Sequence, residues 1–213
     1  MIELAITTFV TLFVIIDPIG LAPIFIALTQ GHPPPERRKI ALRACLIGAA
    51  VLALFGIAGE KVLGLVGIGL PAFRIAGGLL LFIIAVEMLF ERRTERREKT
   101  ADQDISNPTP HDPSVFPLAT PLLAGPGALA TMILIMGNHS GDFSTQALLI
   151  GVMLCVVATA YVLFLLSGGL ERILGQVGIT VVTRLLGMLL AALAVQFVLD
   201  GMADSGLLAN GAE

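Results

Sequence analysis

Charge is scarce in this chain. Of its 213 residues only 14% are Asp, Glu, Lys or Arg, where a soluble domain carries roughly 25%, while 56% are hydrophobic and the mean hydropathy is +0.92. That leaves too little polar surface to clothe a water-facing globule, so lipid is the natural solvent. The net charge is −3, and the 13 Lys and Arg lie in separate short runs rather than along one helix face, which argues against a nucleic-acid partner. Trp is absent and Tyr161 is the only Tyr. The usual interfacial aromatic belts are therefore missing, and the Arg and Lys runs must do most of the anchoring. Cysteine is limited to Cys45 and Cys155, each inside an apolar run without a CxxC partner. Neither a disulfide framework nor a metal site is supported, and both read as small buried hydrophobes. His32, His111 and His139 fall in polar connections, and neither HExxH nor GxSxG occurs. No catalytic residues, metal or cofactor are expected, and enzyme chemistry is disfavoured.

What the chain has instead is apolar length. Runs able to cover a hydrocarbon core of ~30 Å, about 20 helical residues, occur near 3–30, 40–59, 70–90, 115–136, 144–167 and 178–200. The N-terminus lacks the positive region of a signal peptide, and its apolar run is too long for one, so it reads as a retained membrane helix. The one long polar segment, 91–113, opens with Glu91-Arg92-Arg93-Thr94-Glu95-Arg96-Arg97-Glu98-Lys99 and reads as a solvated linker. Positive charge falls unevenly between the two sides. Arg37, Arg38, Lys39, Arg43, Arg92, Arg93, Arg96, Arg97, Lys99 and Arg172 flank odd-numbered connections, against Lys61 and Arg74 on the other side. This bias predicts connections one, three and five in the cytoplasm and both termini outside.

The two halves resemble each other. Glu60-Lys61-Val62-Leu63-Gly64-Leu65-Val66-Gly67-Ile68 matches Glu171-Arg172-Ile173-Leu174-Gly175-Gln176-Val177-Gly178-Ile179 at six of nine positions. Arg74-Ile75-Ala76-Gly77 then meets Arg184-Leu185-Leu186-Gly187, Cys45 and Cys155 share nearly the same offset, and the prolines of Asp17-Pro18-Ile19-Gly20-Leu21-Ala22-Pro23 are spaced like those of Thr120-Pro121-Leu122-Leu123-Ala124-Gly125-Pro126. Each half has three spans, an odd number, so the second threads the bilayer in the opposite sense. The predicted fold is an all-α membrane protein, a single membrane domain over 1–213. Six transmembrane helices form a 3+3 inverted-topology repeat: 1–90, a cytoplasmic linker at 91–113, and 114–213. Such repeats are common in secondary transporters.

Both first helices of the repeats are expected to be broken. Asp17-Pro18 lies about 20 Å along the first span at 1.5 Å per residue, and Pro18, Gly20 and Pro23 oppose a continuous helix there. Pro117, Pro121 and Gly125-Pro126-Gly127 do the same in the fourth. Irregular backbone survives in lipid only against protein or a watery cavity, and half-helix N-termini offer amides and positive dipole ends to an anion. Asp17 can cap the half-helix starting at Pro18, contact a substrate amine, or bind a coupling ion or proton. Arg74 and Arg184 occupy equivalent places and can pair with Asp17 or half-helix carbonyls, or snorkel to an interface. Gln196 is a weaker cavity-lining candidate.

Together, Asp17-Pro18-Ile19-Gly20, Arg74-Ile75-Ala76-Gly77-Gly78, Phe116-Pro117-Leu118-Ala119-Thr120-Pro121 with Ala124-Gly125-Pro126-Gly127, and Arg184-Leu185-Leu186-Gly187 with Val195-Gln196-Phe197 closely resemble the MarC family over nearly the whole chain. The resemblance implies a six-helix, multi-pass inner-membrane protein that transports small neutral amino acids such as glycine or alanine. It places the binding region at Asp17, Pro18 and Gly20 and at Thr120, Gly125, Pro126 and Gly127. The Gly125 and Gly127 amides are expected to meet the substrate carboxylate, with Asp17 as organiser or amine contact, and Arg74, Arg184 and Gln196 in gating or structural roles. A proton or sodium ion is the expected coupling ion; no other cofactor is implied, and a homo-oligomer is compatible with the sequence. The alternative function is an exporter or channel for another small metabolite or drug.

Overall fold

The computed structural model describes residues 1–92, Arg97 and 112–205, the side chain of Glu171 excepted. Among the described residues the fold is all-helical, without strands. Its elements are α1 (Ile2–Ile16), α2 (Pro18–Leu28), α3 (Pro34–Val66), α4 (Leu70–Leu89), α5 (Ser114–Leu123), α6 (Pro126–Gly137), α7 (Phe143–Leu165) and α8 (Ser167–Asp204). Among the described residues five apolar segments are long enough to cross a membrane, Ile2–Leu28 among them, and α5 with α6, bent by 57°, brings the number to six when the pair is counted as one span.

Local chemistry sets most of the boundaries. Asp142 caps α7, accepting from the Thr145 amide at 3.1 Å and hydroxyl at 2.5 Å, and these bonds hold its carboxyl below its ordinary pKa. Gly67, at φ 79°, closes α3 in the left-handed conformation that glycine adopts without steric cost. In α5 the residues preceding Pro117 and Pro121 are pushed to extended backbone, Phe116 at φ −130°, ψ 129° and Thr120 at φ −131°, ψ 124°. Hydrogen bonds there span five residues, Leu118 to Pro113 and Ala124 to Ala119, a wide turn of the kind often found at functional sites.

Several boundaries differ from expectation. The final helix starts at Ser167 and runs 38 residues, with a break at Gly175 (φ 61°, ψ 174°); the polar stretch read as a connection is largely helical. Cys45 is buried as expected, but Cys155 is exposed on the outer face of α7. The linker is described only at 91, 92, 97, 112 and 113; Asn107 to Pro110 and His111 lie outside the described residues. At Arg97 the expectation of a solvated side chain fails, because this residue is buried.

Packing places α1, α2 and α6 inside and leaves much of α3, α4, α7 and α8 facing lipid, where Leu54, Ile83, Val162 and Leu189 are exposed. α3 packs on α5 and α6, α7 on α1 and α2, and α4 has its most extensive contacts with α8. Phe25 of α2 stacks on Phe164 of α7 with ring centroids 4.8 Å apart. The α4–α8 pair is antiparallel and reciprocal. A Cβ on Gly78 would lie 2.8 Å from the Ala194 carbonyl oxygen and 3.0 Å from the Val198 amide; one on Gly187 would lie 3.3 Å from the Ala85 carbonyl and 3.5 Å from the Leu89 amide. Adding 109 to Gly78, Ala85 and Leu89 gives Gly187, Ala194 and Val198, one residue away from the offset of 110 that matches Arg74 with Arg184 in sequence. Such close backbone approach, made possible by small residues, is how helices associate in lipid, where apolar burial drives little.

Candidate functional site

The site begins with an interruption of the first apolar segment. α1 ends at Ile16 and Asp17 adopts φ 54°, ψ 62°, a left-handed conformation that Asp tolerates better than most side chains. Its amide donates back to the Phe13 carbonyl at 2.9 Å while its carbonyl accepts from Leu21 at 3.1 Å. The carboxylate Oδ1 accepts from the Gly20 amide at 3.1 Å, and Pro18 occupies the first helical position. Asp17 is thus the N-cap of α2. Only glycine fits at position 20, because a Cβ there would sit 2.2 Å from Asp17 Oδ2.

Asp17 is fully buried, and a carboxylate inside an apolar bundle requires compensation. Arg97 supplies it. Its Nη1 donates to Asp17 Oδ2 at 3.2 Å and its Nη2 to the Ile16 carbonyl at 3.1 Å. The guanidinium therefore sits where a carboxylate and the negative end of α1 meet.

On the other side, α6 starts at Pro126 with Gly125 as its N-cap, and no side chain caps it among the described residues. By helix geometry the first-turn amides of Gly127 and Ala128 lack intrahelical acceptors. A cavity of about 270 Å³ opens at this end, bordered by Ile15, Ile84, Arg97, Pro121, Gly125 and Gly127. Among the described residues the polar features that face it, a guanidinium and a helix N-terminus, favour negative charge. The glycines also have packing duties. A Cβ at Gly127 would meet Ile84 at 2.8 Å and Leu81 at 3.1 Å, and one at Gly125 would meet the Pro121 carbonyl at 2.7 Å.

The structure thus gathers Gly125, Pro126 and Gly127 at the cavity, with Asp17, Pro18 and Gly20 buried at the α1–α2 junction. The other sequence candidates lie elsewhere. Thr120 gives its hydroxyl to the Val115 carbonyl at 3.2 Å. Arg74 does not reach Asp17; it pairs with Asp204 at the end of α8 and with Asn138. Arg184 pairs with Glu91, just beyond α4, at 2.9 Å. Gln196 is exposed on α8 and donates to Asp200 at 2.7 Å, so it does not line the cavity. Arg97 is the residue that sequence reasoning missed. Its signal was indirect: buried Asp17 called for a cation, but Arg97 stands in a charged run that reads as solvated.

The model for MarC family integral membrane proteins matches residues 2–205. A UPF0056 membrane protein of Methanocaldococcus jannaschii is 35% identical over 200 residues, covering 92% of this chain and 95% of its own. The UPF0056 membrane protein YvbG of Bacillus subtilis is 35% identical over 199 residues, 93% of this chain and 92% of its own. The UPF0056 inner membrane protein YhgN of Escherichia coli is 35% identical over 193 residues, 91% of this chain and 93% of its own. No solved structure gives a significant match. With similarity running from the first helix to the last, the chain belongs to the MarC family of integral membrane proteins.

Proposed function

We propose that this membrane protein is a secondary transporter of small neutral amino acids such as glycine or alanine, driven by a proton or sodium gradient. The observation that carries this reading is the cavity where the start of α6, which no side chain caps among the described residues, faces Arg97, itself held by Asp17 at the α1–α2 junction. Helix interruptions that present amides and carbonyl ends to an interior cavity are how many transporters bind small charged groups within a bilayer. The small residues around Gly125 to Ala130 favour a ligand of few atoms.

The same reading takes the chain as a 3+3 inverted repeat with broken first and fourth spans. Its support is reciprocity. The second helix of each half packs on the broken first span of the other, and the third helices pair antiparallel through Gly78 and Gly187. Arg74 and Arg184, at matched sequence positions, each pair with an acid near the far end of the other's helix. Two similar halves in opposite orientation can exchange conformations and expose one site to either side. In this reading the protein lies in the inner membrane with both termini outside, as the distribution of Lys and Arg favours.

Purified protein in liposomes should show saturable uptake of radiolabelled glycine or alanine that is concentrative under a proton or sodium gradient. Flux without concentration would indicate a channel, and absence of flux for every small amino acid under both gradients would refute the substrate assignment. Gly125 and Gly127 are poor positions for testing this, since their larger variants disturb packing.

A further inference from the structure

We propose that a second cavity, between the starts of α3 and α8, binds an anionic phospholipid, with the phosphate on Arg37 and Arg38 and the acyl chains against the exposed leucines at the end of α7. This site is separate from the cavity at α6 and independent of the transport reading.

The first and fifth connections meet at one end of the bundle, as the four spans between them require. A cavity of about 230 Å³ lies there, bordered by Phe25 of α2, Arg37 and Arg38 near the start of α3, Leu165 at the end of α7, and Gly168 and Gly169 in the first turn of α8. Local contacts aim Arg37. Its Nε donates to the Thr29 hydroxyl at 3.0 Å, and that buried hydroxyl donates in turn to the Phe25 carbonyl at 2.7 Å. The guanidinium carbon stands 5.6 Å from the centroid of the Phe25 ring, itself stacked on Phe164. A hydroxyl and an aromatic face orient the guanidinium without neutralising it. With Nε directed at Thr29, the edge carrying the two Nη atoms is the one that suits two oxygens of a phosphate.

The start of α8 adds to the same potential. Gly169 and Leu170 both donate to the Leu166 carbonyl, so the amides of Ser167 and Gly168 precede the first intrahelical bonds, and the positive end of the helix lies at the cavity. Among the described residues a Cβ on Gly168 or Gly169 would meet nothing within 4 Å. Glycine is a poor helix former, and here its bare backbone makes no close packing contact; it keeps the cavity open at the helix start.

Two arginines and a helix N-terminus call for an anion, and the surroundings call for one carried by a lipid. Leu165 and Leu166 are exposed at the end of a span, while the apolar run of α3 begins at Ile40, just beyond the arginines. The cavity therefore sits where hydrocarbon gives way to headgroups. In the proposed orientation this end meets the cytoplasmic leaflet, whose anionic lipids are attracted to basic residues at the membrane surface. A phospholipid answers both features, phosphate to arginine and chain to leucine. Phosphatidylcholine carries the same phosphate but brings its own cation, which the arginines repel, so the site prefers a headgroup with net negative charge.

The test is native mass spectrometry of the full chain, equilibrated in detergent with phosphatidylglycerol or phosphatidylcholine of the same acyl chains. The native protein should hold its first phosphatidylglycerol about 10- to 100-fold more tightly than phosphatidylcholine, the difference a charge-assisted contact makes. The double variant Arg37→Gln, Arg38→Gln should lose most of that preference. Arg92→Gln with Arg172→Gln, which removes the same charge from exposed positions away from the cavity, should keep it within about twofold because such charges are screened. Replacing Arg37 also removes its contacts with Thr29 and Phe25, so a further variant leaves both arginines in place. Gly168→Leu with Gly169→Leu adds side chains at the cavity border, where there is room; it should weaken phosphatidylglycerol by about 10-fold without lowering the unfolding midpoint in phosphatidylcholine. Equal loss of preference in the two arginine-pair variants would reduce the effect to diffuse surface charge and overturn the proposal. Native preference in either cavity variant would overturn it too, as would displacement of phosphatidylglycerol by an equal concentration of inorganic phosphate, which would mark an ion site rather than a lipid site.

Discussion

The α4–α8 contact gives a prediction in which two related positions should respond unequally. At Gly78 an alanine Cβ meets backbone atoms of the facing helix at 2.8 and 3.0 Å and a Val198 methyl at 2.8 Å. Backbone cannot rotate aside, so relief requires the helices to separate by roughly 0.5–1 Å to reach ordinary contact distance. Overpacking of this kind costs about 1–3 kcal/mol, and the better helix propensity of alanine returns about 1 kcal/mol. The expected net loss for Gly78→Ala is therefore about 0–2 kcal/mol. At Gly187 the facing backbone atoms are farther away, at 3.3 and 3.5 Å, and the tightest contact is the Met88 Cβ at 2.9 Å. Gly187→Ala should lose less than ~1 kcal/mol after the same propensity gain. Gly151 is the control, because a Cβ there meets nothing within 4 Å; its alanine variant should be neutral or slightly more stable. Without Trp the chain offers no tryptophan fluorescence, but buried Cys45 can report unfolding through a thiol-reactive dye once exposed Cys155 is replaced by Ala. Each kcal/mol should move the midpoint by about 2–4 °C. Gly78→Ala matching the Gly151 control, or proving milder than Gly187→Ala, would refute the close-packed geometry.

Other perturbations test the site and its surroundings. Gly20→Ala drives a methyl into the Asp17 carboxylate; loss of the cap should cost about 1–2 kcal/mol, seen as a lower midpoint, and a midpoint equal to native would mean that Asp17 does not cap α2. Burial pushes the Asp112 carboxyl up, but the Ser114 hydroxyl and amide and the Arg43 guanidinium outweigh it and hold the pKa below the ordinary value. Asp112 therefore stabilises the fold above the unfolded-state pKa of ~3.9 and loses that contribution as pH falls through the lower folded value. The deficit of Asp112→Asn, measured as a midpoint difference, should be present at neutral pH and shrink in strong acid; growth of the deficit in acid would contradict the assignment. For orientation, in a chain freed of native cysteines, Ser205→Cys should react with an impermeant maleimide on intact cells and Arg92→Cys only after permeabilisation. The reverse pattern would invert the proposed topology.

Much of the fold is legible because it depends on chemistry local to the chain. Six apolar runs stand out because few charges interrupt them, and Asp17-Pro18 announces a helix start because an oxygen-bearing cap followed by a residue without an amide hydrogen suits that position. Boundaries set by tertiary packing are harder. Gly168 to Val177 reads as a connection from its glycine and charge, yet Ser167 to Leu174 is helical before Gly175 breaks it. Cys155 reads as buried because it is apolar, but in lipid an apolar side chain is equally at home on the outer face, so hydrophobicity alone cannot assign a face. Gln196 fails in the complementary way: a polar group in an apolar run suggested a cavity, whereas Asp200 one turn later provides its hydrogen-bond partner at the surface.

What the sequence hides at the site is the cation at Arg97, and the reason is long-range. Asp17 and Arg97 are 80 residues apart, and no periodicity or spacing joins them. Conservation of charge balance gives the constraint: a fully buried carboxylate needs a donor. Among the arginines, Arg74 and Arg184 looked better placed because they stand inside apolar helices. The structure resolves that choice by reciprocity. Asp204 and Glu91 hold Arg74 and Arg184 at opposite ends of the α4–α8 pair. Asp17 instead draws its cation from the charged run after α4. That run supplies the positive charges that orient the protein by their number, and one member that enters the bundle by its partner. A residue counted for topology can thus also hold the α1–α2 junction, and the two roles separate experimentally. Replacing Arg97 by Lys preserves the charge count while removing the planar fork that reaches Asp17 and the Ile16 carbonyl together, so it should leave orientation unchanged and lower the unfolding midpoint.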